Sequence, residues 1–512
     1  MDSEFRRAKR VRVALSAAIV ALCCFRFAHV GLLWSDEDYH LAAAIQILHG
    51  KTPYRDFWYD KPPLDALFYV LIGGRFGWPL RVLDAAYILA ACALIYRLAR
   101  ALWGEAEAWT AALLLAFFTT FYLASAVIPF SADALMLVPH LAAIYCAQKR
   151  RPFWTGLWAG VGFLMNAKAL FVLAACAVWL IANSRKTGTD WVPSRTTRSF
   201  VVWWRASVSF ALRPEWLLLL AGFAVPTLAG LLWAVSAGAW NGYAEQVWRW
   251  GVIYARDSPA TNPFALGVVR TFHWVGFHAA LVVASGLALG RMGRSERWRL
   301  GSWAALSFAA VCLGGRFAPR YFLQLLPVMT IVAARGLVLV WQSQRRVVMA
   351  VLAIALLVPL VRFGPRYASL AYDDVAGRQP QWGAINMELD GEDAARQILA
   401  MAKPGDTLFV WGYRPDIYVY TRLIAPGLFW DSQPLTGVPA DRHLTSTSAI
   451  YGGPAAANRA VVARSKPVFL VDGLGLLNPK LKPEAYPELR AWLANYRLVG
   501  RTKLSLLYRR ID

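Results

Sequence analysis

The apolar positions of this chain come in long unbroken runs, and its polar positions come in short clusters between them. A run of about 18 or more apolar residues matches the thickness of a hydrocarbon core. The pattern predicts spans at roughly 12–33, 79–99, 107–126, 131–148, 153–166, 168–183, 216–237, 264–290, 299–314, 321–341 and 346–363. That is about eleven helices, give or take two. The runs 153–166 and 168–183 are short and read as a tilted pair or a tight hairpin. The first run follows the basic leader "RRAKRVR", which is also the layout of a signal peptide. No small-x-small cleavage site is clear and further spans follow, so it reads as an uncleaved first helix.

The polar clusters orient the array. Basic residues gather in the leader, in 96–100, 149–151 and 185–213, in 291–299 and in 344–346. These fall on alternate loops, which places the N-terminus in the cytoplasm. The opposite set then faces outward: 34–78, 127–130, the turn at 166–168, 238–263, 315–320 and the tail from 364. The expected location is the cytoplasmic (inner) membrane of a bacterium, multi-pass, with the tail outside the cytoplasm.

After Phe363 the composition turns mixed polar, with no run of membrane length. "EDAARQILAMAKPGD" (392–406) reads as an amphipathic helix stopped by Pro404-Gly405. "TLFVWG" (407–412) and "PVFLVDG" (467–473) read as strands, "PDIYVYTRL" as a helix, and "PEAYPELRAWLANYRLVG" as a helix leading into an edge strand. The chain therefore divides into a transmembrane helical domain, 1–363, and a small soluble α/β domain, 364–512.

Composition agrees: 58% of residues are hydrophobic and 17% charged, against about half and about a quarter in soluble domains. The net charge of +23 raises nucleic acid as a partner. The basic residues sit at span ends, the pattern of topology determinants, so nucleic acid is not expected. Some of them suit lipid headgroups or a lipid phosphate. The six cysteines lie inside apolar runs without zinc-type spacing, and read as small core residues.

Against this basic background the stretch "LLWSDEDYHLAAA" (32–44) places Asp36, Glu37 and Asp38 directly after the first span. One reading is a solvated helix start, since carboxylates favour an N-terminal turn. The rest of the loop adds to it. If 35–48 is helical, Asp36, Tyr39 and His40 share a face. "HGKTPYRDFWYDKPPLDALFYV" follows, with Tyr54, then Asp60 beside Lys61, then the Pro62-Pro63 pair. The loop thus offers two acids and a cation at a bilayer surface.

A D-E after the first span, a short helix, "G-x-x-P-Y-x-D" and then "D-K-P-P-L" resembles the GT-C glycosyltransferases, closest to the protein O-mannosyltransferase and lipid A aminoarabinose transferase branches. The match is strongest over 34–64, and the helix pattern is similar to about 363. The resemblance implies a sugar linked to a polyprenyl phosphate as donor, and a lipid, glycan or protein acceptor at the outer membrane surface. The family's first-loop Asp maps onto Asp36, which takes the acceptor's proton as general base. In-line attack by the acceptor inverts the anomeric centre. The family's carboxylate before K-P-P maps onto Asp60, where the aminoarabinose branch usually has Glu. Glu37 orients Asp36, contacts acceptor, or makes a structural bond.

The donor phosphate needs cations. Lys61 is one candidate. "GGRFAPRYFLQLLP" (314–327) supplies Arg316 and Arg320, with Tyr321 and Leu326-Pro327 in a pattern that family members carry. The alternative for the arginines is headgroup contact or a loop salt bridge. His40, Tyr54, Asp133 and Lys168 are secondary candidates. Family members often have an Asp and a Lys at the last two places, against helix capping for Asp133 and snorkelling for Lys168. His273 and His278 read as packed polar residues. Asp36, Glu37 and Asp60 allow a divalent metal, but no obligatory metal or other cofactor is expected.

A membrane transporter is the rival reading. Transporters place charges in mid-membrane and often show repeated halves, whereas here the charges gather at span mouths and no repeat is visible. A membrane anchor that presents the tail as a binding module leaves the 34–64 constellation unexplained.

Overall fold

The computed structural model describes residues 2–184, 214–378 and 385–511; the expected basic loop 185–213 lies outside the described residues. Helices dominate, and each expected span coincides with helix. Among the described residues four are long and apolar enough to cross a membrane: Ala8–His29, Trp78–Leu102, Pro214–Ser236 and Arg346–Val375. Pro263–Phe277 and Ala279–Leu289 make a fifth if their 85° bend lies within one span. Ala132–Gln148, Ala169–Asn183 and Leu326–Gln342 are shorter apolar helices. Length and composition thus support several spans, and by this measure fewer of the described helices qualify than the eleven expected.

The shortfall has local causes. The run 107–126 is helical only over Glu105–Phe118. Beyond it the chain turns so that the carbonyls of Thr119 and Val127 accept from Arg26, at 3.2 and 2.9 Å. Arg26 also pairs with Asp84 at 2.7 Å, both 1% exposed. A buried arginine satisfied in this way needs carbonyls that an unbroken helix would keep for itself. The run 264–290 breaks at His278, which packs face to face on Trp274 and donates from Nδ1 to its carbonyl, 2.8 Å away. His273 is exposed rather than packed. Helix Arg346–Phe363 runs on through Pro365–Val375, past the expected boundary at 364.

Close helix contact follows from small residues. A Cβ on Gly156 would stand 1.9 Å from the carbonyl oxygen of Leu219, and one on Gly222 the same distance from that of Phe153. Helices Pro152–Phe163 and Pro214–Ser236 therefore touch backbone to backbone.

Residues 385–511 contain a four-stranded sheet: β1 Leu408–Trp411, β2 Phe469–Asp472, β3 Tyr496–Arg501 and β4 Leu506–Arg510. The order is β1-β2-β4-β3, with β1 and β2 parallel and the other pairs antiparallel. β1 and β2 are buried throughout, which fits their continuous apolar runs. β3 lies at an edge as its sequence implies, and β4, which the sequence reading missed, fills the gap beside β2. Helices Asn386–Leu399, Pro415–Thr421, Gly452–Val462 and Pro487–Leu493 accompany the sheet.

This unit is docked on the 34–78 loop. Trp58 N donates to Leu428 O at 2.6 Å, and Trp430 Nε1 donates to Trp58 O at 2.6 Å. Ala425 N donates to the Gln46 side chain at 3.1 Å, and Arg422 to Gly74 O at 3.0 Å.

Candidate active site

The 34–78 loop carries two helices, Glu37–Leu48 and Pro63–Val70. Asp36 stands at the N-cap of the first. Asp36 takes φ +77° and ψ −38°, and its side chain caps nothing. That conformation costs a non-glycine residue about 1–3 kcal/mol and persists only when surroundings impose it. The surroundings are Glu37 and Arg320. Glu37 is fully buried and ion-paired with Arg81, itself fully buried, with Nη1 to Oε2 at 2.9 Å. It also accepts from Trp34 N at 2.9 Å and Phe130 N at 3.3 Å. Its place is therefore structural: it fixes the helix start, and its oxygens are occupied. Of the three readings open for Glu37, these contacts are those of the structural bond.

Asp36 points the other way. Its Oδ2 lies 2.7 Å from Arg320 Nη1, with the two side chains 27% and 34% exposed. Lys61 is similarly open at 39%, and its Nζ pairs with Asp60 Oδ1 at 2.9 Å. The second Asp60 oxygen accepts from Trp250 Nε1 at 3.2 Å, and Asp60 N donates to Tyr39 OH at 3.3 Å. Burial pushes the Lys61 ammonium down, but the carboxylates of Asp60 and Asp36 outweigh it and hold it above its ordinary value.

Asp133 and Lys168 join this centre. Lys168 Nζ lies 2.8 Å from Asp133 Oδ1 and 3.3 Å above the Tyr321 ring centroid, next in sequence to Arg320. Asn166 and Gln324 also donate to Asp133, at 3.2 and 3.4 Å. Lys168 does not snorkel, and the Asp133 carboxylate is spent on these donors.

The other expected residues stand further back. Arg316 pairs with Asp441, donates to the carbonyls of Tyr254 and Asp257 at 2.8 and 2.7 Å, and stacks on Tyr254. Its guanidinium is taken up by these contacts, which tie the tail to the aromatic segment around Tyr254. Tyr54 is buried, with its hydroxyl donating to Lys61 O at 2.7 Å. The Gln246 amide holds the Tyr54 carbonyl and the Tyr59 amide, both at 2.8 Å. A Cβ on Gly242 would come within 2.1 Å of Tyr54 O, so only glycine lets this segment close on the loop. His40 bonds Tyr59 OH at 2.6 Å; burial, aided by Lys61 and Arg320, pushes its titration down to about 3 and keeps it neutral.

Residues that sequence reasoning missed come mainly from the tail. Tyr413 stacks on Tyr39 with centroids 5.4 Å apart, and Trp430 does so at 5.3 Å. Asp431 is buried; its Oδ1 accepts from Gln433 N at 2.8 Å. Burial, with Asp60 nearby, pushes Asp431 up to about 7. The available signal was position: Tyr413 lies in the loop directly after β1, where functional side chains concentrate. Among the described residues no group of three or more His, Cys, Asp or Glu side chains is placed to hold a metal ion. Asp36, Glu37 and Asp60 each face a different cation.

Comparison with known proteins places this geometry in a fold class. Residues 60–203 match the family model for dolichyl-phosphate-mannose-protein mannosyltransferase. The fold matches ArnT from Cupriavidus metallidurans bound to undecaprenyl phosphate, with TM-score 0.60 and 14% identity over 98% of both chains. It matches the apo state of the same protein with TM-score 0.60 and 14% identity, covering 99% of this chain and 98% of that one. The apo oligosaccharyltransferase of Archaeoglobus fulgidus is more distant, with TM-score 0.49 and 13% identity over 91% and 70%. No protein of curated function matches the chain. The chain thus shares the fold of ArnT along nearly its whole length, and its residues 60–203 resemble the protein mannosyltransferase family.

Proposed function

We propose that this protein is a membrane glycosyltransferase that moves a sugar from a polyprenyl-phosphate donor to an acceptor hydroxyl on the non-cytoplasmic side of the membrane. One observation carries the reading: the partly exposed Asp36 carboxylate lies 2.7 Å from Arg320, beside the open Lys61–Asp60 pair. A carboxylate and two accessible cations at one surface suit a reaction that takes up a proton and stabilises a leaving phosphate. The fold match to a protein holding undecaprenyl phosphate supports that donor class.

In the proposed step the acceptor oxygen attacks the anomeric carbon from the side opposite the phosphate. The new C–O bond forms as the bond to phosphate breaks, and its electron pair leaves with the phosphate. Asp36 takes the hydroxyl proton, and the configuration inverts. Arg320 and Lys61 neutralise the phosphate, with Tyr321 and Lys168 behind them. Arg320 must loosen its hold on Asp36 as it engages the donor, so donor arrival frees the base.

No obligatory divalent ion takes part in this scheme, since Asp36, Glu37 and Asp60 are each already balanced by a cation. The tail, 364–512, stands outside the cytoplasm in this reading, and the protein resides in the bacterial inner membrane. Charges at one mouth of the helices rather than in mid-membrane argue against a transporter. The test is purified protein in liposomes with undecaprenyl-phosphate sugars and a panel of lipid, glycan and peptide acceptors. Inverted product formed in the presence of EDTA supports the scheme; donor flux across the bilayer without product supports transport instead.

A further inference from the structure

The open centre is polarised. Its cations, Lys61 and Arg320, come from the 34–78 loop and from the segment Pro319–Gln324. Its other wall comes from the tail, where Arg414, the cation next to Tyr413, is buried and paired with Asp390 and Asp416. There Tyr413 is partly exposed. Its ring rests on Tyr39, which in turn stacks on Tyr59 at 5.3 Å. The acids Asp60 and Asp36, each paired with a cation of the opposite wall, lie near enough to bear on the phenol. Yet among the described residues its hydroxyl makes no hydrogen bond, and the Asp431 Oδ2, buried in the same wall, has no partner either.

A phenol with a free hydroxyl beside a buried carboxyl and away from the paired cations suits a neutral group rich in hydroxyls. Such a group donates to the carboxylates, accepts from the phenol and lays its C–H face on an aromatic ring. A lipid-linked sugar has the matching layout, an anionic phosphate for the cationic side and a polyhydroxylated ring for the other.

Resting on the donor reading above, we infer that Tyr413 contacts the glycosyl ring of the donor, so that the tail selects the sugar while the helical part holds the lipid phosphate. Asp431 is a positioning residue behind it. Trp430 carries Asp431 and is locked to the loop both by its bond to Trp58 O and by its stack on Tyr39. The tail is then part of the catalytic site rather than an appended module.

The test measures binding to the full chain in nanodiscs. The probes are undecaprenyl phosphate and undecaprenyl phosphates carrying mannose, glucose, galactose or arabinose. Tyr413→Phe removes only the hydroxyl and keeps the stack. The expected result is undecaprenyl phosphate affinity within about twofold of the original chain and a loss of about tenfold for the preferred glycosylated lipid, the size of one hydrogen bond in a desolvated site. Tyr413→Ala widens that loss and flattens the preference among sugars. Equal weakening of both lipid classes, or no change in either, overturns the assignment. If the original chain binds undecaprenyl phosphate but prefers no glycosylated form, the Tyr413 role falls alone; if it binds none of these lipids, the donor reading falls with it.

Discussion

Arg320 holds Asp36 with Nη1 2.7 Å from Oδ2, joining the start of one helix in the first loop to the segment that leads into Leu326–Gln342. Both side chains remain partly open, unlike the sealed Arg81–Glu37 pair one residue along the chain. Neighbouring acids thus take opposite roles, one exposed and movable, the other fixed.

That contrast sets expectations for the cations. Arg320→Ala and Lys61→Ala each weaken undecaprenyl phosphate binding by about tenfold or more, the usual weight of a hydrogen bond to a charged group. Arg316→Ala leaves that affinity within about twofold, because Arg316 is engaged by Asp441 and the carbonyls of Tyr254 and Asp257. Lipid titration in nanodiscs reads all three, and a large loss in Arg316→Ala alone contradicts the placement.

Glu37→Gln leaves Arg81 buried without its counter-charge. Breaking such a pair costs about 3–5 kcal/mol, so the variant melts earlier, or expresses poorly, in detergent. The double variant Glu37→Met with Arg81→Met recovers part of that loss. If Glu37→Gln keeps full stability and loses only turnover, Glu37 is catalytic after all.

Asp431 gives a pH dependence. Its carboxyl titrates at about 7 in the folded chain, from an ordinary value of 3.8, because of burial first and Asp60 second. Between those values the folded chain keeps a proton that the unfolded chain has lost. Its contribution is therefore full below about pH 4, declines as pH rises, and levels off above about 7. The slope reaches at most about 1.4 kcal/mol per pH unit. Glu388, raised to about 7 by burial and Asp416, acts with the same sign. The melting temperature falls from pH 5 to 8, and Asp431→Asn shows a shallower fall; identical slopes would contradict the buried placement.

The sequence reached the spans, the strands β1, β2 and β3, and the Asp36–Asp60–Lys61 loop because each is written in local pattern. Apolar length marks a helix, a short apolar run between turn residues marks a strand, and an acid at a helix mouth stands out in a basic chain. It singled out Asp36 but left Glu37 open among three roles, since adjacent carboxylates look alike until Arg81 and Arg320 arrive from elsewhere in the chain. Arg316 and Arg320 were indistinguishable for the same reason: partner choice is tertiary. The break after Phe118 was hidden because Arg26, which takes its freed carbonyls, sits in another helix. Tyr413 and Asp431 escaped notice because nothing local says that the tail folds back on the first loop.

The central claim concerns Asp36, and the most direct measurement is turnover of Asp36→Asn. The purified variant is compared with the original chain in liposomes, with the same glycosylated undecaprenyl phosphate and acceptor. The account predicts that glycosylated product falls by about 10²–10⁴-fold, the usual contribution of a general base, while the variant stays folded and still binds undecaprenyl phosphate. Turnover close to that of the original chain, from a folded and donor-binding variant, contradicts it.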